Sequence, residues 1–271
     1  MAEEHLTHGW EPELDIGDSL LRGFVLAMAE RNAFLAERTG GRAARWDDLA
    51  VADPASLVKF ENAALLLQPP AYVDVADAVR RTADFYPPER HHVFLSAWPT
   101  PDLSWAGMEL TGHPPFMVRS PGGAPPQLPE GLRVVPVTDR AELADFVDTL
   151  LIGFSTPQTR TTPMGDRRIL DGPIRLFVGY ADGRPVATSG AWLGPGIVVV
   201  DWVATLPAYR RRGIGTALTW AATMTSPGDP AALIASDEGR PIYEAMGYLR
   251  MMRLTIWHRP PLSSGIPHST G

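Results

Sequence analysis

The feature that most constrains this chain is an apolar, β-branched run that leads through a glycine-rich turn into a helix-forming segment. Residues 197–205 predict a buried strand, and residues 213–224 predict a helix. At the start of this helix, Gly213 and Gly215 let the backbone approach a ligand closely. The first turn of such a helix presents unpaired N–H groups and the positive end of its dipole. The unit therefore predicts either a phosphate-binding turn or an ordinary strand-to-helix connection.

The dense basic run of the chain lies in this same turn, at Arg210, Arg211 and Arg212. Three guanidinium groups would surround a phosphate, or they would form a solvated run without a ligand. The chain as a whole is acidic, with a formal net charge of −7. Proteins that bind nucleic acid normally carry a basic excess or a basic face, so we expect no nucleic-acid partner.

The chain of 271 residues contains no cysteine, which excludes disulfides, a thiolate nucleophile and cysteine-bound metal. Its acidic start lacks the basic and apolar regions of a signal peptide, and no apolar run approaches the ~20 residues of a membrane span. The adjacent His91 and His92 would point to opposite faces of a strand. We therefore expect a cytoplasmic protein that binds neither a metal nor a membrane.

The second half of the chain has the clearest order of elements. Its apolar spacing predicts one strand, two helices, three strands, and then a helix, a strand, a helix and a last strand. Asp182 and Gly183 give a strong hairpin signal between the second and third strands. The ranges are 132–137, 140–154, 163–171, 176–180, 185–192, 197–205, 213–224, 231–236, 240–246 and 249–257.

The first half shows helix and strand patterns but no comparable phosphate motif. Helices are predicted over 18–38 and 72–86, and short strands over 49–52, 63–67, 93–98 and 115–118. Residues 121–131 are so rich in proline and glycine that no regular element is expected there. This segment predicts a linker between a domain at 1–120 and a domain at 132–259, and residues 260–271 predict a disordered tail.

Residues 132–258 resemble the GCN5-related N-acetyltransferase (GNAT) superfamily in element order and in two motifs. The patterns Gln/Arg-x-x-Gly-x-Gly/Ala and Tyr-x-x-x-Gly-Phe/Tyr are matched by Arg210, Gly213 and Gly215, and by Tyr243, Gly247 and Tyr248. The resemblance implies an α+β fold with a central mixed, mostly antiparallel sheet flanked by helices. It also implies acetyl-CoA as co-substrate. By analogy with tandem members, the first half would be a degenerate GNAT-like α/β domain.

The resemblance also implies where acetyl-CoA would bind. Backbone groups at the end of the fourth strand would bond the pantetheine arm, and one amide would polarise the thioester carbonyl. The residues concerned are Val203, Ala204 and Thr205. Amides of the following turn would hold the pyrophosphate, beside Arg210, and they belong to Arg211, Arg212, Gly213, Ile214, Gly215 and Thr216. Ser236 occupies the position where the family often has an asparagine. This departure changes the side-chain contact with the cofactor that the resemblance would imply there.

Two residues are the candidates for catalysis. Tyr243 matches the tyrosine that often protonates the leaving thiolate of CoA, although it could instead be an aromatic that packs its helix on the sheet. Asp201 is an acidic residue in an apolar strand and shares a face with Val203, so it is the candidate base. The alternative for Asp201 is an ion pair with an arginine of a neighbouring strand. Asp237 and Glu238 are weaker base candidates.

The first functional hypothesis is direct N-acetylation, in which an amine attacks acetyl-CoA in a ternary complex. A route through an acyl-cysteine is excluded because there is no cysteine. Two alternatives stay open: a module that senses acyl-CoA without catalysis, and transfer to an amino group of a protein or peptide. We expect a small-molecule amine as acceptor, and a homodimer is left open. The sequence does not identify the acceptor or the acyl chain length.

Overall fold

The structure is a computed structural model that describes residues 19–155 and 162–261. Within these residues the helices are α1 (Leu20–Arg38), α2 (Val75–Phe85), α3 (Arg140–Gly153), α4 (Ile214–Thr223) and α5 (Arg240–Ala245). The strands of the first half are β1 (Arg42–Arg45), β2 (Leu49–Asp53), β3 (Ala63–Leu66), β4 (His92–Ser96), β5 (Glu109–Gly112) and β6 (Pro115–Arg119). Those of the second half are β7 (Leu132–Pro136), β8 (Ile174–Ala181), β9 (Arg184–Gly194), β10 (Ile197–Thr205), β11 (Ala231–Ile234), β12 (Leu249–Arg253) and β13 (Thr255–Arg259).

Local sequence explains where several of these elements begin and end. Asp139 and Glu142 form a capping box at the start of α3, which satisfies two backbone N–H groups. The β8–β9 hairpin turns at Asp182 and Gly183, both with positive φ, as the aspartate–glycine pair predicts. Residues 163–171, predicted as a helix, form two short 3-10 turns instead, Pro163–Gly165 and Arg167–Asp171.

The strands form two mixed sheets. The first has the order β1-β2-β3-β4-β13-β5 and the second the order β12-β6-β11-β10-β9-β8-β7. All neighbouring strands are antiparallel except β3 with β4 and β10 with β11. The parallel pairs are bridged by α2 and α4, since parallel neighbours need a crossover connection. The predicted class, a mixed and mostly antiparallel sheet flanked by helices, is confirmed.

Each half donates its last strand to the sheet of the other half. β6 lies between β11 and β12, and β13 lies between β4 and β5. The prediction of a single last strand over 249–257 was therefore wrong. The chain leaves one sheet and enters the other at Leu254, which is fully buried and whose N–H donates to the carbonyl oxygen of Pro114 at 3.0 Å. Residues 121–131 contain no helix or strand. A domain boundary at these residues would nevertheless not separate the two sheets, because each sheet contains a strand from the other half.

The two halves repeat the same order of elements. A helix, three antiparallel strands, a crossover helix, a parallel strand and an edge strand run from α1 to β5 and again from α3 to β12. The exchanged strand occupies the equivalent place in each sheet. The second half has one additional strand, β7, and helix α5 precedes its edge strand where the first half has a short 3-10 turn, Ser104–Ala106. This correspondence supports the prediction of a degenerate GNAT-like first half. The predicted domain limits stay predictions, and most of the predicted tail lies outside the described residues.

Helix α1 joins the halves into one core. It packs on β1, β2 and β3 of the first sheet and on β9 and β10 of the second. The rings of Phe24 on α1 and Phe116 on β6 lie 4.5 Å apart, and those of Phe34 on α1 and Trp192 on β9 lie 5.3 Å apart. One apolar cluster contains buried side chains from both halves. Because burial of apolar surface drives folding, the two halves depend on each other for stability.

Candidate active site

In the described part of the chain, strand β10 pairs with β11 only near its start. Among the described residues, the two strands pair only at Val198 with Ala231 and Val199 with Ala232. Further along, the register with β9 shifts between Asp201 and Ala204, so that β10 carries one extra residue. Such a bulge bends a strand and leaves backbone groups unpaired. The end of β10 therefore borders a gap between the two parallel strands.

Trp202 fixes the bulge. Its φ is 53°, a left-handed conformation that is unfavourable for a bulky residue. Its carbonyl oxygen accepts a hydrogen bond from Thr188 Oγ1 at 2.9 Å. Its ring lies over Gly190, where an added Cβ would come within 2.6 Å of the ring. The absence of a side chain at Gly190 thus makes room for the ring, and the buried ring holds the strained backbone in place.

The glycine-rich turn follows directly. Arg210 Nε donates to the carbonyl oxygen of Thr205 at 3.1 Å, which ties the turn to the end of β10. Arg211 and Gly213 both have positive φ, 60° and 75°. Gly213 is the N-cap of α4 and gives it no side-chain cap. The arginines of the turn are exposed, and the Arg212 guanidinium lies 5.3 Å from the centre of the Tyr209 ring.

The start of α4 leaves its first backbone amides without helical partners. The first bond of the helix runs from Ala217 N to Gly213 O, so the amides of Ile214, Gly215 and Thr216 precede the helical ladder. A Cβ at Gly215 would lie 3.2 Å from Thr205 Oγ1. Because Gly215 has no side chain, the start of the helix can lie close to the end of β10. The residues predicted to bind the cofactor from 203 to 216 are brought together, and their binding role stays a prediction.

Tyr243 on α5 packs against Tyr248, and its phenol is protonated at neutral pH. Its partly buried ring meets Tyr248 edge-on with centres 6.0 Å apart, and the Tyr248 hydroxyl lies 2.6 Å from Thr223 Oγ1. Burial, and then the negative charge of Asp201, raise the pKa of Tyr243 to about 12. Both sequence interpretations are thus compatible with the geometry. Tyr243 and Val203 of β10 also pack against the same apolar cluster.

Ser236 and Asp237 lie in the exposed turn between β11 and α5. The Ser236 hydroxyl accepts from the Gly239 amide at 3.0 Å, so it stabilises its own turn. Asp237 pairs with Arg253 at 2.8 Å, and this contact lowers the pKa of Asp237. A carboxylate held by an arginine is a poor base. The place of Ser236 as a cofactor ligand stays a prediction.

Asp201 forms the ion pair that was its alternative interpretation, although its partner lies on a helix rather than on a neighbouring strand. Arg31 Nη1 on α1 lies 2.5 Å from Asp201 Oδ2, and the Trp202 amide donates to Asp201 Oδ1 at 2.7 Å. The side chain of Arg31 is 8% exposed and that of Asp201 is 41% exposed. The arginine is thus buried in the protein, while the carboxylate stays partly exposed.

Two charged residues of the first half, which no motif of the sequence indicates, contact the second half. Arg31 is one, and Glu61, in the loop between β2 and β3, is the other. Burial raises the pKa of Glu61 to about 7, with a smaller contribution from the charge of Asp201. No spacing in the sequence connects these residues with the motif of the second half, because only the packing of the two halves brings them together.

The described residues contain no group of three or more histidine, aspartate or glutamate side chains arranged to hold a metal ion. No helix among them is both long enough and apolar enough to cross a membrane.

Residues 145–248 match the family model of the acetyltransferase (GNAT) family. No curated protein matches the chain in sequence. A GCN5-related N-acetyltransferase from Kribbella flavida is similar in structure, with a TM-score of 0.62 and 22% identity, over 87% of this chain and 94% of that one. A GCN5-related N-acetyltransferase from Sphaerobacter thermophilus has a TM-score of 0.56 and 13% identity, over 89% and 95%.

A protein of unknown function from Staphylococcus epidermidis is also similar, with a TM-score of 0.57 and 14% identity, over 81% of this chain and 93% of that one. At these identities the likeness concerns the fold. Because nearly the whole length of each protein is covered, the shared fold includes the first half of the chain. The match shows a domain of the acetyltransferase (GNAT) family at residues 145–248, and the shared fold extends over most of the chain.

Proposed function

We propose that this protein transfers an acetyl group from acetyl-CoA directly to an amine of a small molecule. The observation that carries the proposal is that three structural features lie around the end of β10. Strand β10 loses its pairing with β11 after Val199, the uncapped start of α4 lies against Thr205, and Tyr243 packs on the same apolar cluster as Val203. Each of these features suits a different part of an acyl-CoA thioester.

The turn fits the phosphate groups of acetyl-CoA. Backbone amides of Ile214, Gly215 and Thr216 are oriented to bind an anion at the positive end of the α4 dipole. The exposed Arg211 and Arg212 add positive charge beside them. A cavity of about 290 Å³ lined partly by Tyr209 and Arg212 lies next to this helix start. The backbone of residues 203–205 is available for the strand-like bonds of the pantetheine arm.

Bound acetyl-CoA would supply an activated thioester to the gap beside β10. A backbone amide of the bulge would hold the carbonyl oxygen and stabilise the charge that develops on it. The phenol of Tyr243 would donate its proton to the departing sulfur. A pKa of about 12 keeps this phenol protonated at neutral pH. Since the chain has no cysteine, the acceptor amine itself must attack.

Two measurements test the proposal. Acetyl-CoA should raise the melting temperature, because a ligand that binds the native state stabilises it. Thiol release should then be followed with spermidine, lysine, glucosamine and a short peptide as acceptors. Release with a small amine supports the proposal. Release only with the peptide would support a protein-modifying enzyme, binding without any release would support a sensor, and no thermal shift would exclude the cofactor.

A further inference from the structure

We propose that the cavity between α1 and the first sheet binds a small aliphatic amine that carries a hydrogen-bond acceptor at its other end. All residues that line this cavity belong to the first half, whereas the turn at residues 210–216 belongs to the second. The site is therefore separate from the one proposed for acetyl-CoA, and its occupation does not depend on acetyl transfer.

The cavity exists because small side chains face each other between the helix and the sheet. Helix α1 packs on β1, β2 and β3, and a cavity of about 210 Å³ remains between them. At ~30 Å³ for each water, this is room for about seven waters or for a short aliphatic molecule. Alanines line the cavity from the helix and from all three strands, and they are Ala29, Ala33, Ala43, Ala44, Ala50, Ala52 and Ala63.

The one buried polar side chain in the described lining is Asn32, which is 8% exposed. Its Oδ1 accepts from Nε and Nη2 of Arg31 at 3.3 Å and 3.2 Å. Because an arginine offers only donors, the oxygen must face Arg31 and the amide nitrogen must point away from it. Within the described residues, that nitrogen donates to no protein group. A ligand oxygen in the cavity would give this donor the acceptor that a buried N–H requires.

Arg31 cannot turn away and release the amide, because the second half holds it. Its Nη1 lies 2.5 Å from Asp201 Oδ2, and its guanidinium lies 5.1 Å from the centre of the Trp202 ring. The orientation of the Asn32 amide is therefore fixed before a ligand arrives. A preformed donor lowers the free energy that binding loses to ordering the site.

The remaining polar residues of the lining favour a cation. They are Glu30 and Glu37 on α1 and Arg45 on β1, and none of the three forms an ion pair with a residue that the structure describes. Glu37 lies in the last turn of α1, where the negative end of the helix dipole attracts positive charge. Arg38, in the same turn, lies over the ring of Phe34 at 5.2 Å and is not part of the lining. Two carboxylates and a helix end thus oppose one arginine.

These features define the chemistry of the ligand. Its ammonium group would lie near Glu30 and Glu37, its aliphatic stem would contact the alanines, and its oxygen would accept from Asn32 Nδ2. The probe 4-amino-1-butanol has all three parts. Butylamine lacks the acceptor and 1-butanol lacks the positive charge, so the two controls separate the contributions of the amide and of the carboxylates.

The first experiment titrates each probe into wild-type protein that carries carbon-13 in its alanine methyl groups. With 4-amino-1-butanol, the methyl signals of Ala33, Ala50 and Ala63 should shift with a Kd of about 1 mM or lower. Butylamine should bind about fivefold more weakly, because it leaves the Asn32 donor unpaired. The absence of a saturable shift up to about 20 mM would mean that the cavity holds only water. That result, or equal Kd values for the two amines, would overturn the proposal.

A second experiment fills the cavity. Ala33→Leu keeps a good helix former on α1 and places a larger side chain in the space, so it should abolish the shifts at Ala50 and Ala63. Ala76→Leu, at a half-buried position on α2 outside the cavity, should bind 4-amino-1-butanol as the wild type does. Binding that persists in a folded Ala33→Leu variant would place the ligand elsewhere and overturn the proposal. The wild-type titration decides the question if this variant does not fold.

The last variants test the polar contacts. Replacing both Glu30 and Glu37 by glutamine should raise the Kd of 4-amino-1-butanol about threefold to tenfold, whereas Glu89→Gln, exposed in another loop, should leave it unchanged. In Asn32→Leu, 4-amino-1-butanol and butylamine should bind with equal Kd values, because the donor is gone. A preference for the amino alcohol that survives in Asn32→Leu would contradict the assigned orientation of the ligand and overturn the proposal.

Discussion

Arg31 and Asp201 are 170 residues apart in sequence and form an ion pair at 2.5 Å across the two halves of the protein. The Arg31 guanidinium also lies 5.1 Å from the centre of the Trp202 ring, the residue that carries the strained backbone of the bulge. The first half therefore holds both the charge and the shape of β10 at the point where the acetyl group is expected.

The first prediction concerns the strength of this ion pair. In a double-mutant cycle of Arg31→Met and Asp201→Asn, the coupling in the free energy of unfolding should be about 1–3 kcal/mol, because the arginine is buried. The control cycle uses Arg168 and Asp166, which lie 2.6 Å apart in an exposed turn. That pair should show a much smaller coupling, since solvent screens it. Equal coupling in the two cycles would contradict the prediction.

The second prediction separates phosphate binding from helix stability. In Gly215→Asp the new carboxylate lies at the start of α4, where the dipole favours a negative charge, and the fold should tolerate it once the Thr205 hydroxyl, 3.2 Å from the added Cβ, shifts slightly. The same charge should repel the phosphates of acetyl-CoA and weaken binding by more than about tenfold. Isothermal titration gives the Kd. Gly228→Asp, at an open turn position, is the control and should bind as the wild type does.

The third prediction concerns the proton donor. Tyr243→Phe keeps the ring that packs on Tyr248 and removes only the hydroxyl. It should lower kcat by about 100-fold or more and leave the Kd for acetyl-CoA nearly unchanged. Tyr72→Phe, at a position that is exposed in the first half, is the control. An unchanged kcat in Tyr243→Phe would leave the tyrosine with a packing role alone.

The fourth prediction follows from the raised pKa of Glu61. Its pKa is about 7 in the native state against an ordinary 4.5, so between these values the native state binds more protons than the unfolded state. The free energy of unfolding should therefore fall as pH rises from about 4.5 to about 7, by on the order of 3 kcal/mol at most. Urea unfolding measured at several pH values should show that this fall in the free energy of unfolding is smaller by that amount in Glu61→Gln. Glu89→Gln should behave as the wild type.

The extent to which the sequence predicted the fold differs between elements for a physical reason. The strand of β10, the turn at Gly213 and the helix α4 are set by local spacing, glycine conformation and helix-end chemistry, so the sequence revealed them. The path of residues 249–259 could not be foreseen, because the residue types of a strand give no sign of the sheet it joins. At Leu254 the chain changes sheets without a glycine or proline.

The same distinction applies to the site. Tyr243 and the turn at residues 210–215 belong to motifs, whose spacing is a local property of the chain. Arg31 and Glu61 act through tertiary contacts with Asp201 and Thr162. Asp201 was recognised as unusual because a charge in an apolar strand needs a partner, but the partner itself depended on how α1 packs between the sheets.

The fifth prediction is that the exchanged strands hold the halves together after the chain is cut. A specific protease site placed at residues 124–127 should allow cleavage in a segment without helix or strand. Both fragments should still elute as one particle in size-exclusion chromatography. The reason is that β6 keeps Phe116 and Met117 buried in the second sheet, while β13 keeps Ile256 and Trp257 buried in the first.

Two controls sharpen this experiment. Trp257→Asp places a charge in the apolar layer beneath the first sheet, which should weaken the hold of β13 and let the cleaved fragments separate. Residues 1–120 made alone should be insoluble or unfolded, because the place between β4 and β5 stays empty and the apolar side of β6 has no sheet to join. If the cleaved wild-type fragments separate in native buffer, the exchanged strands do not supply the main contact between the halves.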